Sequence, residues 1–156
     1  MSTPLTFDYS RYEQLLVEKK DGILRLTLNA PDENNAFPAA MHRSMAQIWD
    51  DIVDDPEVHV IILGGAGRIF SGGGNPDKMQ RKIDNPHDWD DRTVPEARRI
   101  IWRMLECDKP IIARLQGNAI GLGATVALAS DIVVMADNAR IGDPHVKVGL
   151  VAGDGG

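Results

Sequence analysis

Two glycine runs are the residues of this chain whose spacing bears most directly on chemistry. Gly72, Gly73 and Gly74 stand together in "RIFSGGGNPDKM" (68–79), and Gly117, Gly121 and Gly123 punctuate "GNAIGLG" (117–123). Each run follows a short apolar stretch and precedes a segment of helical pattern. Glycine at such a place turns consecutive backbone N–H groups into one concavity and lets a ligand approach without meeting a Cβ. A helix opening near Pro76 would add unpaired N–H groups and the positive end of its dipole. Two such donors meeting at one oxygen make an oxyanion hole, in which losing a donor costs about 3–4 kcal/mol of transition-state stabilisation. Tight packing of connecting turns also demands glycine, and for either run alone the two readings stand level.

His145 titrates near neutrality, which suits a general base. Asp154 lies further on in "GDGG" (153–156), across a loop containing Gly149 and Gly153. If that loop folds back, Asp154 accepts the imidazole N–H, fixes its tautomer and stabilises the imidazolium. Both residues have plainer uses: Asp154 as the N-cap of a following helix, His145 as a turn residue paired with Asp143. His87, near Trp89 in an acidic loop, reads as exposed or as part of a lid, and His42 and His59 show no partner in the sequence. No two His, Cys or carboxylate residues share a metal-ligand spacing. The second glycine run also resembles a dinucleotide-binding turn, with Asp137 ending the next strand. Against that, the only tyrosines are Tyr9 and Tyr12, so no Tyr-x-x-x-Lys pair exists, and the sequence holds no phosphate-binding G-x-x-x-x-G-K-[ST] loop.

The elements that must position these groups alternate between strand and helix. "LLVEKKDGILRLTLN" (15–29) predicts two strands about an Asp21-Gly22 turn. Met41, Met45, Ile48, Trp49, Ile52 and Val53 recur at helical spacing between Pro38 and Asp54. Buried strands are expected over 58–65 and 110–117, helices over 96–108 and 121–131, and a strand over 132–137. Trp49 and Trp102 fall on apolar helical stripes and read as core. Residues 76–93 are polar and Asp-rich, predicting a loop with a short helix. The tail from Ile141 reads as loop with one helical turn. Strand, glycine loop and helix thus occur twice, an α/β pattern with crossover connections.

Composition narrows the function classes. The 156 residues are 43% apolar and 26% charged, with a net charge of −6. That suits one soluble domain and makes nucleic acid or an anionic membrane a poor partner. Cys107 is the one cysteine, so no internal disulfide forms, and a reducing, cytoplasmic setting is expected. The N-terminal stretch has no signal-like apolar region, and no apolar run is long enough to span a bilayer.

The blocks "NNAF", "VIILGGAGRIFSGGGNPDKM" and "KPIIARLQGNAIGLGATVALASDIVVMADNARIGDPHVKVGLVAGDGG" together resemble the crotonase, or enoyl-CoA hydratase/isomerase, superfamily. The resemblance implies an α/β fold of repeated ββα units wound into a spiral, assembled as a homotrimer or hexamer. It implies an acyl-CoA thioester as ligand, coenzyme A entering as part of the substrate and no separate cofactor being needed. Residue by residue, it places the oxyanion-hole N–H groups at Gly74 and Leu122, with Gly72, Gly73 and Gly121 keeping the backbone bare. Asn35 and Ala36 match the segment that meets the adenine of coenzyme A.

Three departures stand out. The family's two water-activating glutamates fall at Thr125 and His145, and Asn75 replaces an aspartate. Thr125 can position a water but cannot exchange its proton near neutrality. The block around His145 and Asp154, with "NPHDWDD" (85–91), resembles the branch containing 6-oxocamphor hydrolase, which cleaves a C–C bond. The expected activity is hydration, hydrolysis or C–C cleavage with His145 as base; a silent acyl-CoA-binding protein is the alternative. Because family members continue into C-terminal helices, a chain truncated at that end is also expected.

Overall fold

The computed structural model describes residues 7–75, 80, 83–85, 92–149 and 151. Strands β1 (Leu15–Lys20) and β2 (Ile23–Leu28) form the expected antiparallel hairpin, Leu15 pairing with Leu28 and Lys20 with Ile23. Asp21 and Gly22 both take positive φ, at 51° and 80°, the geometry a two-residue turn needs to match strand twist. Strands β3 (Val60–Gly65), β4 (Ile111–Leu115) and β6 (Ile132–Met135) then add in parallel, giving the order β1-β2-β3-β4-β6.

A second, smaller ladder sets the site. Strand β5 (Ala119–Ile120) pairs in parallel with β7 (Ile141–Gly142), and Ser71 bridges in parallel to Ala119. Gly72 N donates to Asn34 O at 2.8 Å, extending the same row toward the first turn. The chain therefore repeats one unit: a long strand in the main sheet, a short extended segment in the second ladder, then a helix. The fold is the α/β spiral of ββα units that the resemblance implied.

The helices are α1 (Ala39–Asp54), α2 (Thr93–Leu105) and α3 (Leu122–Leu128), with a 3-10 turn over His145–Val148. Helix α1 buries Met41, Met45, Ile48, Trp49 and Ile52 against Leu24, Leu26, Ile61 and Leu63 of the sheet; each such side chain is worth about 1.5–3 kcal/mol of burial. Helix α2 begins three residues before the expected Glu96, because Pro95 in a first turn has no N–H to lose. It stops at Leu105 rather than Asp108, since Lys109 precedes Pro110 and is steered out of helical conformation. Trp102 is not core: it is 53% exposed while Ile100 and Met104 face inward. Two residues from Ile100, it points about 160° around the helix. His42 does have a partner, Glu96 of α2, whose Oε2 lies 2.7 Å from its Nδ1. Within the expected loop over 76–93, Gln80, Ile83 and Asp84 are helical and Gln80 Nε2 donates to Asp84 Oδ1 at 2.9 Å; Pro76, His87 and Trp89 lie outside the described residues. Among the described residues, no helix is long and apolar enough to cross a membrane.

Candidate active site

The two glycine runs meet. A Cβ on Gly73 would lie 2.4 Å from Ile120 O and 3.3 Å from Gly121 Cα, far inside ordinary contact, so only glycine lets these two backbones close up. Gly73 also has φ +82°, and Gly121 has φ +53°, left-handed values that disfavour other residues. Gly74 and Leu122, one residue further along each strand, thus leave from points in van der Waals contact. Leu122 is the first residue of α3, where backbone N–H groups have no intrahelical acceptor. Among the described residues, no backbone acceptor lies within hydrogen-bond reach of the N–H of Gly74 or Leu122.

Ser71 holds this pair of loops in place, a role its residue type did not announce. Its side chain is fully buried; Oγ donates to Asn35 O at 2.7 Å and accepts from Gly73 N at 3.1 Å. Its backbone N–H donates to Asn118 O, and its carbonyl accepts from Ile120 N at 2.9 Å. One serine therefore ties together three successive turns of the spiral. Gln116 was missed as well: its Nε2 donates to Gly65 O at 2.7 Å and Ile69 O at 3.1 Å, pinning the loop that leads into Ser71. Neither residue carries a local sequence signal, because these partners lie 36 to 51 residues away.

Asn35 and Ala36 sit beside the first glycine run, Ala36 Cβ lying 3.7 Å from where a Cβ on Gly72 would be. The Asn35 side chain is occupied by the fold. Its Oδ1 accepts from Ala30 N at 2.8 Å, and its Nδ2 faces the carbonyls of Ala66, Ile69 and Phe70 at 2.9, 2.9 and 3.2 Å. Asn75 Nδ2 donates to Glu33 Oε2 at 3.3 Å across the same edge.

His145 reaches the second run from the fourth turn. Its Cε1 is 3.9 Å from where a Cβ on Gly121 would be, so the imidazole borders the start of α3. Thr125, one helical turn further in, donates from Oγ1 to Gly121 O at 3.3 Å. Among the described residues, Asp143 brings a carboxylate to the His145 ring: its Oδ1 accepts the His145 backbone N–H at 3.0 Å and also meets Nδ1. The backbone N–H of His145, and then its ring, hold the Asp143 carboxyl below the usual carboxylate range. Asp154 lies outside the described residues. The structure thus gathers Gly72, Gly73, Gly74, Gly121, Leu122, Thr125 and His145 along one edge of the spiral, with Asn35 and Ala36 at its near end. Such an edge can hold a carbonyl oxygen with main-chain N–H groups and present an imidazole to its neighbouring carbons.

The sequence model of the enoyl-CoA hydratase/isomerase family matches residues 18–156. A 2,3-dehydroadipyl-CoA hydratase from Escherichia coli K12 is 31% identical over 144 residues, covering 92% of this chain and 54% of the relative. A carnitinyl-CoA dehydratase from the same strain is 34% identical over 144 residues, with the same coverage of both chains. Among solved structures, an enoyl-CoA hydratase/isomerase from Mycobacterium paratuberculosis superposes with a TM-score of 0.86 at 36% identity, over 95% of this chain and 59% of that one. The chain spans about half the length of the curated relatives it matches, 54% of each. On its spiral of ββα turns and on these matches together, it belongs to the enoyl-CoA hydratase/isomerase family of the crotonase superfamily.

Proposed function

We propose that the protein acts on an acyl-CoA thioester whose carbonyl oxygen is held by the N–H groups of Gly74 and Leu122, with His145 as the single proton-transfer group. The contact between Gly73 and Ile120-Gly121 supports the reading, because it brings together the backbones that lead into Gly74 and Leu122, at the edge where His145 stands. Coenzyme A is part of the substrate here, its adenine end lying toward Asn35 and Ala36.

For a 2-enoyl-CoA, His145 takes a proton from water as the oxygen adds to Cβ. The electron pair of the double bond moves through Cα toward the thioester carbonyl, whose oxygen becomes an enolate in the N–H pair. The imidazolium then returns its proton to Cα, so one group closes the cycle that two glutamates share elsewhere in the family. Thr125 holds the water without exchanging protons, since a hydroxyl has no accessible pKa near neutrality. Neutral imidazole is a competent base in this range, and a well-placed general base contributes about 10²–10⁴-fold.

Turnover of a panel of 2-enoyl-CoA and 3-oxoacyl-CoA thioesters, with His145→Ala measured beside the parent, tests this. Hydration of the enoyl substrates, lowered by about 10²–10⁴-fold in the variant, is the expected result. Cleavage of the 3-oxo substrates alone would shift the assignment to C–C bond hydrolysis. Tight binding without turnover would make the chain a silent acyl-CoA-binding protein, and unchanged turnover in the variant would remove His145 from the mechanism.

A further inference from the structure

The geometry points to Asp143, two residues before the imidazole, as the positioning residue that fixes the tautomer of His145. This rests on the functional reading above, in which His145 moves the proton. Asp143 follows directly on β7, so the last strand of the second ladder anchors its backbone. Its Oδ1 accepts the backbone N–H of His145 at 3.0 Å, closing a side-chain turn of the kind aspartate and asparagine favour. The same oxygen meets Nδ1 of the ring. An acceptor at Nδ1 places the neutral ring's proton there and its lone pair on Nε2. When Nε2 takes a proton, the resulting imidazolium sits against a carboxylate.

The first glycine loop (71–75) and the first turn of α3 (121–125) contain no ionisable side chain, and Lys147 is the other charged residue on the 3-10 turn. Asp143 is ionised near neutrality, its pKa lowered by the His145 N–H and ring.

Asp143→Ala and Asp143→Asn together separate this role from a merely structural one. Alanine removes the oxygen that meets Nδ1, whereas asparagine keeps an acceptor at the same place. Two readouts apply: kcat and KM on the thioester substrate, and the tautomer of the neutral His145 ring followed by imidazole nitrogen NMR in the free protein. The expected result is one Nδ1-protonated tautomer in the parent and a mixture in Asp143→Ala, with kcat reduced about 10- to 100-fold and KM little changed, and the tautomer restored in Asp143→Asn. An unchanged tautomer in Asp143→Ala overturns the inference, as does a change that appears only in Asp154→Asn. The NMR arm does not depend on turnover. If His145→Ala keeps full activity while Asp143→Ala still changes the tautomer, the pair stands and the proposed reaction fails.

Discussion

Replacing Gly73 by alanine tests whether the spacing of the two glycine runs is functional. The added Cβ would lie 2.4 Å from Ile120 O and 3.1 Å from Ile120 C. Both are backbone atoms at the root of the second donor, so no side chain can rotate away. Restoring ordinary contact at 3.4 Å or more means moving the strands apart by about 1 Å, and a misplacement of that size costs about 10²-fold in rate. Misalignment of one of two oxyanion donors costs a similar factor, about 10²–10³ in kcat. The stability cost is smaller. Left-handed φ at a non-glycine residue takes about 1–2 kcal/mol and overpacking about 1–3 kcal/mol, against a total of roughly 5–15 kcal/mol for a domain. Gly67→Ala is the matched control: its φ is +74°, but its Cβ meets only Pro31, at 3.1 Å from a side-chain atom. Steady-state kinetics on a thioester substrate and urea unfolding, run on both variants, give the comparison. Gly73→Ala should lose about 10²-fold in kcat, and Gly67→Ala should lose stability alone. If both lose stability to the same extent and neither loses more than about threefold in kcat, the approach of the two runs is packing and nothing more.

Two predictions concern the frame around the site. Asn35→Ala removes one acceptor and one donor group that serve four backbone partners, and leaves alanine at φ +50°. Stranding the buried Ala30 N–H and the facing carbonyls should cost roughly 3–5 kcal/mol in urea unfolding; a loss under about 1 kcal/mol would mean water takes over the side chain's bonds. Acid stability should depend on Asp55. Burial works against its ionised form, but Lys19 Nζ at 2.9 Å, the Glu57 N–H at 3.0 Å and the Tyr9 hydroxyl at 2.9 Å outweigh it and hold its pKa below 3.8. A carboxyl whose pKa is depressed by folding stabilises above its unfolded value and loses that contribution as pH falls through its folded one. Parent and Asp55→Asn should therefore differ by a constant amount above about pH 5 and converge below 3.8. Curves that stay parallel down to acid unfolding would contradict the assignment.

What the sequence made legible followed the reach of each physical signal. The hairpin at Asp21-Gly22 and helix α1 depend on neighbours in the chain, through turn chemistry and through a period that six apolar residues repeat. Strands β5 and β7 are two residues each, too short for any period to register, yet the chain runs from them into Leu122 and His145. Strand β6 shows the converse: "IVVM" reads as a strand and is one, while Ile132, Val134 and Met135 stay exposed. Apolar side chains report what a strand can bury, not what lies over it. The His42–Glu96 contact spans 54 positions and the Ser71–Asn35 bond 36, and no local pattern encodes either. For His145 the sequence offered Asp143 and Asp154 alike; the turn after β7 puts Asp143 against the ring, and Asp154 lies outside the described residues.

On the proposed function, the spiral also explains why the two donors would come from successive turns. Neighbouring strands of a ladder lie about 4.8 Å apart. Two N–H nitrogens that each sit about 2.9 Å from one oxygen can be at most about 5.8 Å from each other. Donors on adjacent segments satisfy that limit, and donors two segments apart, at about 9.6 Å, do not. At a 4.8 Å spacing the two bonds meet at the oxygen at about 112°, near the roughly 120° between the lone pairs of an sp² carbonyl. The parallel bridge of Ser71 to Ala119 makes the segments that lead into Gly74 and Leu122 such neighbours. Sliding that register by one residue would reverse the side to which each N–H points, so the hole would be lost although every glycine remained. The proposed capacity to hold an enolate thus depends on the register of the Ser71–Ala119 bridge, with the glycines as the condition for its closeness.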